Sequence, residues 1–447
     1  MLRLVFIIGK KAVVEITGIS ERGFGIAKLG DDRIVEIPGA LPNEVVTIRL
    51  GRKKLGYILK FIEKNNKRVM PICCYAQRCG GCLWQDVDYS EQLRLKQLIL
   101  EKLLSRLNAN FELKKIIPSP QIYGYRGKTE FIFAEGSTGL ALGFRELGYF
   151  DKVIDIFACW LQPVEANIVL SEMKAKLAAL NYPPYNIYTR QGFLRYLVLR
   201  TSFYNREVLA NIITASGRKE NLKLNLEYLS TETGASSIIW SINDTPADVA
   251  TGNIEQVYGK GYLEEECEGF KFKVCPYCFY QSNPIQAKTL FSMAKKLGEE
   301  GETALDLYSG IGTISIIVSE NFDKVIGIEL EKCSVETAKE NAKINDVSNV
   351  EFHTGKVEDM LDKISSSLNR VNTVFIDPPR SGMHYDARRA LVRIKPERIV
   401  YISCNPRTQV EDISYLMKFG YKLILLQPID MLPHTPHIET LALLEKE

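Results

Sequence analysis

The sequence predicts a multidomain protein in which a small N-terminal β-barrel and a central α+β domain precede a C-terminal doubly wound α/β sheet. Glycine-punctuated runs with a period of two fill residues 11–63, strand-like runs dominate residues 122–265, and helices alternate with buried strands from residue 284. A length of 447 residues allows two or three domains. We place the domain limits at residues 1–65, 66–270 and 271–447.

The composition is that of an ordinary soluble protein, with 46% hydrophobic and 25% charged residues. The apolar run Leu4–Ile8 is too short for a signal peptide, and no stretch reaches the length of a membrane span. We therefore expect a cytoplasmic protein without membrane association or an obligate protein partner. The chain has 10 cysteines, which in this setting favour metal or catalytic roles over disulfides.

Positive charge is concentrated in the N-terminal region. The net charge is +3, yet residues 1–70 hold 14 Lys/Arg and 7 Asp/Glu, a balance of +7, which leaves −4 for the remainder. The pattern suits either a polyanionic partner or a solvated charged face, and charge alone does not separate the two. An oligonucleotide-binding barrel fits this region, with Arg49, Arg52, Lys53 and Lys54 available for phosphate contacts.

A glycine loop follows the first predicted strand of the C-terminal sheet. Its sequence, DLYSGIGT at 306–313, lets a ligand approach the backbone, and Glu329 ends the second strand. Both strand ends face the same crevice, where an acidic residue can bind ribose hydroxyls. A dinucleotide is the competing ligand, but Ser315 replaces the third glycine of G-x-G-x-x-G, so a nucleoside with a charged amino-acid tail fits better. The predicted strands are Thr303–Leu307, Lys324–Ile328, Val350–His353, Thr373–Ile376 and Arg398–Ile402.

Three later segments are predicted to open into this crevice: DPPRSG at 377–382, ISCNP at 402–406 and PHTPHIET at 433–440. Cys404 is a candidate nucleophile and Glu439 a candidate general base. Taken singly, a buried small thiol and a solvated carboxylate explain these two residues equally well. Their joint placement at strand ends favours the catalytic interpretation.

These motifs, in this order, resemble those of the RNA 5-methyluridine methyltransferases, and the resemblance covers nearly the whole chain. It implies S-adenosylmethionine as cofactor and an RNA uridine as substrate. Uracil C5 is too weak a nucleophile to attack a sulfonium methyl group until a thiolate has added to C6, and a base must later remove the C5 proton. The resemblance implies Cys404 as the nucleophile and Glu439 as the base, with Asp377 as the next candidate. It implies cofactor contacts by Gln281, Tyr308, Glu329 and Asp377.

A cysteine cluster lies far in sequence from these motifs. Cys73, Cys79 and Cys82 fall within ten residues, and Cys159 offers a fourth thiol. The spacing alone suits zinc or an iron–sulfur cluster. One branch of the family has the same C-x5-C-G-G-C pattern, which implies a [4Fe-4S] cluster on these four residues and an N-terminal TRAM barrel. Cys74 is a competing neighbour, and we expect a structural or RNA-folding role for the cluster.

Aromatic and basic residues interleave in the segment YGYRGK at 123–128, as in readers of single-stranded RNA. The resemblance implies RNA contacts by Arg126 and Lys128, and surface charges on a strand are the alternative. Another pair, Cys275 and Cys278, is a departure from the family pattern; it suits structural thiols, a zinc half-site or a redox dithiol.

The branch resemblance implies 23S ribosomal RNA as the substrate. A tRNA T-loop uridine is the alternative, and the sequence does not say which uridine, or whether one or two, is modified. A non-catalytic RNA assembly factor is a rival hypothesis that the intact thiol and carboxylate disfavour. An iron–sulfur redox enzyme would need a flavin or NAD fingerprint, which we do not find.

Overall fold

The computed structural model describes residues 7–8, 11–137, 139–217, 222–365, 368 and 370–447, with only the backbone at 7–8. The apolar run Leu4–Ile8 of the sequence analysis therefore lies outside the described residues except for the backbone of its last two positions. None of the helices in the described ranges combines the length and apolar character of a membrane span.

Two small antiparallel sheets enclose one core in the N-terminal region. Along β2 the residues alternate between exposed and buried, as a strand with one face on a core requires. Ala12, Val14, Ile37 and Ile48 form part of that core. One sheet has the order β1-β2-β6-β7 and the other β3-β4-β5. The strands are β1 (Ile7–Ile8), β2 (Lys11–Glu15), β3 (Gly18–Ile19), β4 (Gly25–Lys28), β5 (Ile34–Ile37), β6 (Val45–Leu50) and β7 (Gly56–Glu63).

A seven-stranded sheet of order β11-β10-β9-β12-β13-β14-β15 forms the central region, with β13 and β14 parallel and its other neighbours antiparallel. Its strands are β9 (Lys128–Gly136), β10 (Gly139–Arg145), β11 (Val153–Asp155), β12 (Leu194–Thr201), β13 (Val208–Thr214), β14 (Ser237–Ile242) and β15 (Asn253–Gly259). Two helices pack into its core, α2 (Val164–Ala179) and α3 (Leu226–Ser230). The hairpin of β16 (Leu263–Cys267) and β17 (Phe270–Val274) leads to the C-terminal region.

The predicted doubly wound sheet is confirmed, and it is longer than predicted. All five predicted strands are present as β18 to β22, and they pair in parallel in the order β20-β19-β18-β21-β22. The antiparallel strands β24 and β23 and the short strand β8 extend this sheet beyond β22. Its strands are β8 (Glu112–Leu113), β18 (Gly301–Leu307), β19 (Phe322–Glu329), β20 (Val350–Thr354), β21 (Thr373–Ile376), β22 (Arg398–Ser403), β23 (Tyr421–Ile429) and β24 (Glu439–Lys446).

Helices cover both faces of this sheet and build a separate core on each. Asn283 starts the first of them, because its side chain accepts a hydrogen bond from Gln286 N and Pro284 occupies the first helical position. One face holds α4 (Pro284–Gly298), α5 (Thr313–Val318) and α6 (Lys332–Ile344). The other holds α7 (Val357–Ile364), α8 (Tyr385–Ile394) and α9 (Pro406–Met417).

Helix α1 (Tyr89–Leu104) packs on the C-terminal sheet, although it lies in the sequence range assigned to the central domain. Asp88 caps the helix by accepting hydrogen bonds from two backbone N–H groups of its first turn. On its buried face, Lys96 Nζ lies 2.5 Å from Asp430 Oδ1, and both side chains are fully buried. Tyr89 Oη donates to the other oxygen of Asp430 at 2.8 Å. This network fixes the chain immediately after β23.

We predict that Lys96→Met destabilises the protein by about 3–5 kcal/mol, because Asp430 would be left as a buried charge without its partner. Urea unfolding measures the loss. Lys102→Met, on the exposed side of the same helix, is the matched control and should change stability by less than about 0.5 kcal/mol. Equal effects of the two substitutions would contradict the role of the ion pair.

Candidate active site

The loop after β18 brings its backbone close to the neighbouring strand and helix. Tyr308 N and Ser309 N both donate to Ile328 O, at 2.9 and 3.0 Å. Gly312 has a φ of 81°, and a Cβ at this position would lie 2.6 Å from the Phe352 ring. The loop therefore requires glycine at 312 for both conformation and space.

Tyr308 has a φ of 66°, in the left-handed region that tyrosine rarely occupies. Burial raises the pKa of its phenol. Backbone strain of this kind clusters at ligand-binding segments, because the surrounding structure must hold it in place. The observation singles out this loop as a candidate ligand site.

The two carboxylate oxygens of Asp306, at the end of β18, differ in their hydrogen bonding. Its Oδ2 accepts hydrogen bonds from Ser315 N at 2.9 Å and Ser315 Oγ at 2.5 Å. Within the described ranges, Asp306 Oδ1 and Ser309 Oγ are buried without a hydrogen-bond partner. Burial raises the pKa of Asp306 to about 7. Buried polar atoms are normally paired, so these two atoms fit a polar ligand such as the implied cofactor.

Glu329, at the end of β19, accepts hydrogen bonds from the loop after β18 and from the loop after β19. Its Oε2 accepts a hydrogen bond from Gly310 N at 3.0 Å, and its Oε1 accepts one from Glu331 N at 2.9 Å. The carboxylate therefore lies directly beside the glycine loop, at the carboxyl edge of the parallel strands. This is the position at which an acidic residue can bind a ribose.

Gln281 and Asp377 meet across the same crevice, where Gln281 Nε2 donates to Asp377 Oδ2 at 3.3 Å. Burial raises the pKa of Asp377 to about 7, and the charge of Asp306 adds to the effect. The structure thus places Gln281 against Asp377, and Tyr308 in the glycine loop beside Glu329. These are the four residues predicted to contact the cofactor.

Cys404 follows β22 directly and lies beside the DPPR segment. Asn405 Nδ2 donates to Arg380 O at 2.7 Å, and Asn405 N donates to Ser403 Oγ at 3.1 Å. The Arg380 side chain also contacts the Cys404 thiol. Two motifs that are 20 residues or more apart in sequence are therefore joined around one sulfur atom.

Cys404 and Glu439 belong to one electrostatic site. Burial raises the pKa of the Cys404 thiol to about 11, with the Glu439 charge adding and Arg380 opposing. Burial also raises the pKa of Glu439 well above its usual range, with Asp377 adding and Arg380 opposing. Arg380 is thus a cation that favours the ionised form of both groups. The predicted nucleophile and base are brought together, although their motifs are separate in sequence.

A cavity of about 270 Å³ opens beside Cys404. The Glu21–Phe24 turn between β3 and β4 lines this cavity. Gly80 and Gly81, between Cys79 and Cys82, and His437 also line it. In that turn, a Cβ on Gly23 would lie 2.2 Å from Pro436, so the turn packs tightly on the segment that leads to Glu439.

The segment before Glu439 is held by residues from distant parts of the chain. Gln92 Oε1 accepts a hydrogen bond from His434 N at 2.8 Å, and Gln92 Nε2 lies 3.2 Å from His434 Nδ1. Trp84 N donates to His434 O at 3.0 Å, and Tyr125 Oη donates to Pro433 O at 3.0 Å. Tyr123 stacks on the imidazole with ring centroids 4.5 Å apart. His434 therefore contacts Gln92 and Tyr123, and these contacts fix the segment that leads to Glu439.

Sequence reasoning missed the supporting residues Gln92 and Lys96. Both are polar, four residues apart and fully buried on the face of α1 that carries Leu95 and Ile99. Polar residues inside the apolar stripe of a helix were the available signal, because such residues must find buried partners.

The four predicted metal ligands converge in the central region. Burial raises the pKa of Cys79 to about 11 and also raises the pKa values of Cys73, Cys82 and Cys159. The charges of Cys73, Cys79 and Cys82 each interact with that of Cys159. Across the described part of the chain, no three His, Cys, Asp or Glu side chains form a group able to hold a single metal ion.

Arg126 and Lys128 lie on a cavity of about 800 Å³ together with Cys79, Cys82 and Cys159. The Arg126 charge lowers the pKa of these three thiols and opposes the effect of their burial. Lys128 pairs with Glu130 at 2.7 Å. The cysteine set thus has cationic neighbours, and both residues predicted to contact RNA stand beside it.

Known proteins match this chain over nearly its full length. Residues 252–447 match the family model of the tRNA (uracil-5-)-methyltransferases. An RNA methyltransferase of Thermotoga maritima is 35% identical, with 97% of this chain and 98% of that protein covered. The tRNA (uracil(54)-C(5))-methyltransferase of Pyrococcus horikoshii is 34% identical, with 95% and 97% covered. The crystal structure of Pyrococcus abyssi tRNA (uracil-54, C5)-methyltransferase in complex with S-adenosyl-L-homocysteine superposes with a TM-score of 0.79 at 29% identity, covering 96% and 99% of the two chains.

We predict that S-adenosylmethionine binds about tenfold more tightly at pH 8 than at pH 6. Asp306 and Asp377 have pKa values of about 7, so both are mostly protonated at the lower pH and mostly ionised at the higher pH. Ionised carboxylates attract the sulfonium cation. Calorimetric titration measures the affinity at each pH.

S-adenosylhomocysteine, which lacks the sulfonium charge, is the control ligand and should show a weaker pH dependence. Asp377→Asn should flatten the dependence for S-adenosylmethionine. The same pH profile for both ligands in the unchanged protein would contradict this electrostatic account.

Proposed function

Because this chain belongs to the tRNA (uracil-5-)-methyltransferase family and is an S-adenosylmethionine-dependent RNA methyltransferase, we propose that it methylates uracil C5 through a covalent adduct on Cys404. The observation that carries this proposal is the joint placement of Cys404, Glu439 and Arg380 in one crevice. A thiol nucleophile and a carboxyl base are the two groups that the chemistry needs.

Cys404 begins the reaction by adding its thiolate to C6 of the uracil, which makes C5 nucleophilic. Its pKa of about 11 keeps it a thiol in the resting protein. Arg380 contacts the sulfur and favours the thiolate, so this guanidinium supports the first step. The cofactor supplies an electrophilic methyl group to C5.

Glu439 then removes the proton from C5, and the electrons of that C–H bond re-form the C5–C6 double bond and expel the Cys404 thiolate. The carboxyl lies at the start of β24 with 6% exposure, so water has little access to it. Asp377 is the next candidate for the base, because its charge also reaches Cys404 and Glu439.

The residues that would hold the cofactor are those at the carboxyl edge of the sheet. We propose that Glu329 binds the ribose and that Gln281, Tyr308 and Asp377 line the same site. The unpaired oxygens Asp306 Oδ1 and Ser309 Oγ support a polar ligand here.

RNA must present the uracil out of its base stack to reach a half-buried thiol. The cavity beside Cys404 is lined by Arg22, Phe24 and Arg407, which supply cations and an aromatic face.

We propose that residues 1–65 form a TRAM-type RNA-binding barrel and that residues 66–270 and 271–447 form the central and methyltransferase domains. We also propose that Arg126 and Lys128 contact RNA. The proposed setting is the cytoplasm.

The RNA substrate has two candidates. The sequence motifs favour 23S ribosomal RNA. The T-loop of tRNA is the second candidate, because the Pyrococcus proteins that match nearly the whole chain are tRNA uracil-54 enzymes.

We propose a [4Fe-4S] cluster on Cys73, Cys79, Cys82 and Cys159. Four mutually interacting thiols beside the cation of Arg126 support it. Zinc is the alternative for four thiolate ligands. The cluster would order the segment 73–82, part of which lines the cavity beside Cys404.

We predict that Cys404→Ala and Glu439→Gln block different steps of the methylation reaction, the first before adduct formation and the second after methyl transfer. Cys404→Ala should lose methylation by about four orders of magnitude or more and form no adduct, because no other thiol replaces the nucleophile. Glu439→Gln should accumulate a covalent protein–RNA complex on ordinary RNA, because proton removal is blocked. Denaturing gels with labelled RNA measure the complex.

Unchanged protein should form a stable adduct with RNA containing 5-fluorouridine, since the fluorine cannot leave as a proton. Cys333→Ala, at an exposed cysteine, is the matched control and should methylate normally. Normal turnover by Cys404→Ala would refute the covalent mechanism. Normal turnover by Glu439→Gln would move the base to Asp377.

We predict about four irons per chain in protein purified without oxygen. Cys79→Ser should lose iron and colour and bind RNA weakly, while S-adenosylhomocysteine binding persists because none of the proposed cofactor contacts is near these cysteines in sequence. Cys74→Ser should keep the iron if Cys73 is the ligand of the adjacent pair. One zinc and no iron in the unchanged protein would overturn the cluster and leave the methyltransferase assignment in place.

We predict that cells lacking the protein lose 5-methyluridine at a single class of RNA. Mass-spectrometric mapping of ribosomal and transfer RNA distinguishes the two substrates. Loss only from 23S ribosomal RNA supports the first candidate, and loss only at tRNA position 54 supports the second.

A further inference from the structure

A second cysteine pair lies outside the catalytic and cluster cysteines, in the loop between β17 and α4. Cys275 and Cys278 bracket Pro276 and Tyr277, and Cys278 N donates to Cys275 O at 3.2 Å. This is a hydrogen-bonded turn with proline at its second position. A turn of this kind brings the first and fourth residues within the Cα separation that a disulfide allows.

The two sulfur atoms share one neighbour on α6. Cys275 Sγ lies 3.5 Å and Cys278 Sγ 3.7 Å from Thr337 Oγ1. The two thiols also interact directly: the Cys275 side chain lowers the pKa of Cys278 against the effect of burial, and the Cys278 side chain raises the pKa of Cys275. A thiolate next to a thiol is the arrangement that thiol–disulfide exchange requires.

Of the two sulfurs, that of Cys275 is within reach of small reagents, whereas Cys278 is buried with 2% exposure. Cys275 is partly exposed, and Cys278 lines the cavity of about 800 Å³ that also contains Cys79, Cys82 and Cys159.

We propose that Cys275 and Cys278 form a reversible redox dithiol, and that its closure into a disulfide weakens binding of S-adenosylmethionine. The second half rests on the cofactor site proposed above. With glutathione disulfide as oxidant, the partly exposed Cys275 gives its proton to the Cys278 thiolate and attacks one glutathione sulfur. The other glutathione leaves as a thiolate and takes up that proton from Cys278. The Cys278 thiolate then displaces the second glutathione from the mixed disulfide on Cys275. Two protein thiols are oxidised, and one glutathione disulfide is reduced to two thiols.

The dithiol is linked to the cofactor crevice by two routes. Along the chain, Gln281 follows Cys278 by three residues and donates to Asp377. Through α6, Asn341 lies one turn beyond Thr337; it accepts a hydrogen bond from Lys273 N at 2.7 Å and donates to Ile311 O in the glycine loop at 3.1 Å.

Disulfide closure would disturb both routes. A disulfide has no S–H to donate, and Thr337 Oγ1 already donates to Cys333 O at 2.9 Å, so both sulfurs would lose their hydrogen bonds with this hydroxyl. The turn cannot move freely to compensate, because buried Arg200 donates to Pro276 O at 3.1 Å and to Cys278 O at 2.6 Å. The change in the turn therefore shifts the segment after Cys278, which carries Gln281. It also shifts the face of α6 on which Asn341 contacts the glycine loop.

The test uses full-length protein prepared without oxygen and equilibrated with glutathione redox buffers. Peptide mass mapping identifies the bonded cysteines, and calorimetry measures S-adenosylhomocysteine affinity in the reduced and oxidised protein. We expect a Cys275–Cys278 bond that dithiothreitol reverses and an affinity that falls by about fivefold or more on oxidation. The double variant Cys275→Ser/Cys278→Ser, treated identically, should keep its affinity. Cys333→Ser, at the nearby exposed thiol, should respond like the unchanged protein.

No Cys275–Cys278 bond at any glutathione ratio, or a bond from Cys278 to Cys333 instead, would overturn the proposal. Equal affinities of the oxidised and reduced protein, or an equal loss in the double variant, would overturn the link to the cofactor. If the reduced protein binds no S-adenosylhomocysteine, the cofactor site fails together with that link, while peptide mapping still decides whether the dithiol exists.

Discussion

The buried ion pair between Lys96 and Asp430 is the interaction on which the candidate active-site crevice depends. Both side chains are fully buried, so each charge is tolerable only because the other is present. The pair fixes the segment after β23 to α1, and Gln92 on the same helix face holds His434. Glu439 follows five residues later. The position of the proposed base is thus set by a helix more than 330 residues earlier in the chain.

The crevice contains three carboxyl groups whose ionised forms are disfavoured by burial. Asp306, Asp377 and Glu439 all have raised pKa values, and the charges of Asp306 and Glu439 each interact with that of Asp377. Arg380 opposes this effect at Glu439 and Cys404. A cationic sulfonium group bound in this crevice would favour the ionised form of a neighbouring carboxyl, because an opposite charge stabilises a carboxylate. The buried carboxyl groups, whose ionised forms are disfavoured in the protein without ligand, therefore favour binding of a cationic cofactor such as S-adenosylmethionine.

Sequence patterns predicted the parallel sheet because each of its five strands is a short apolar run bounded by turn residues, from Thr303–Leu307 to Arg398–Ile402. They also placed Cys404 directly after the fifth strand, which is a local property. Strands β23 and β24 were not predicted, nor was the packing of α1 on the C-terminal sheet. Those features depend on pairings between residues far apart in the chain, such as Ile399 with Leu444 and Lys96 with Asp430, and no local period encodes them.

The cations around the cysteine set give a physical reason for an anionic group in the central cavity. Arg200 is buried, and in the part of the chain that the structure describes its hydrogen bonds go to carbonyl oxygens rather than to a carboxylate. Burial lowers its pKa to about 10, so a negative neighbour would stabilise it. Arg126 and Lys128 line the same cavity. Four thiolates on a [4Fe-4S] core carry a net negative charge, which these cations would balance. With the proposed cluster in place, the half-buried Arg126 and Lys128 would help to balance its charge, and the buried Arg200 would gain a negative neighbour.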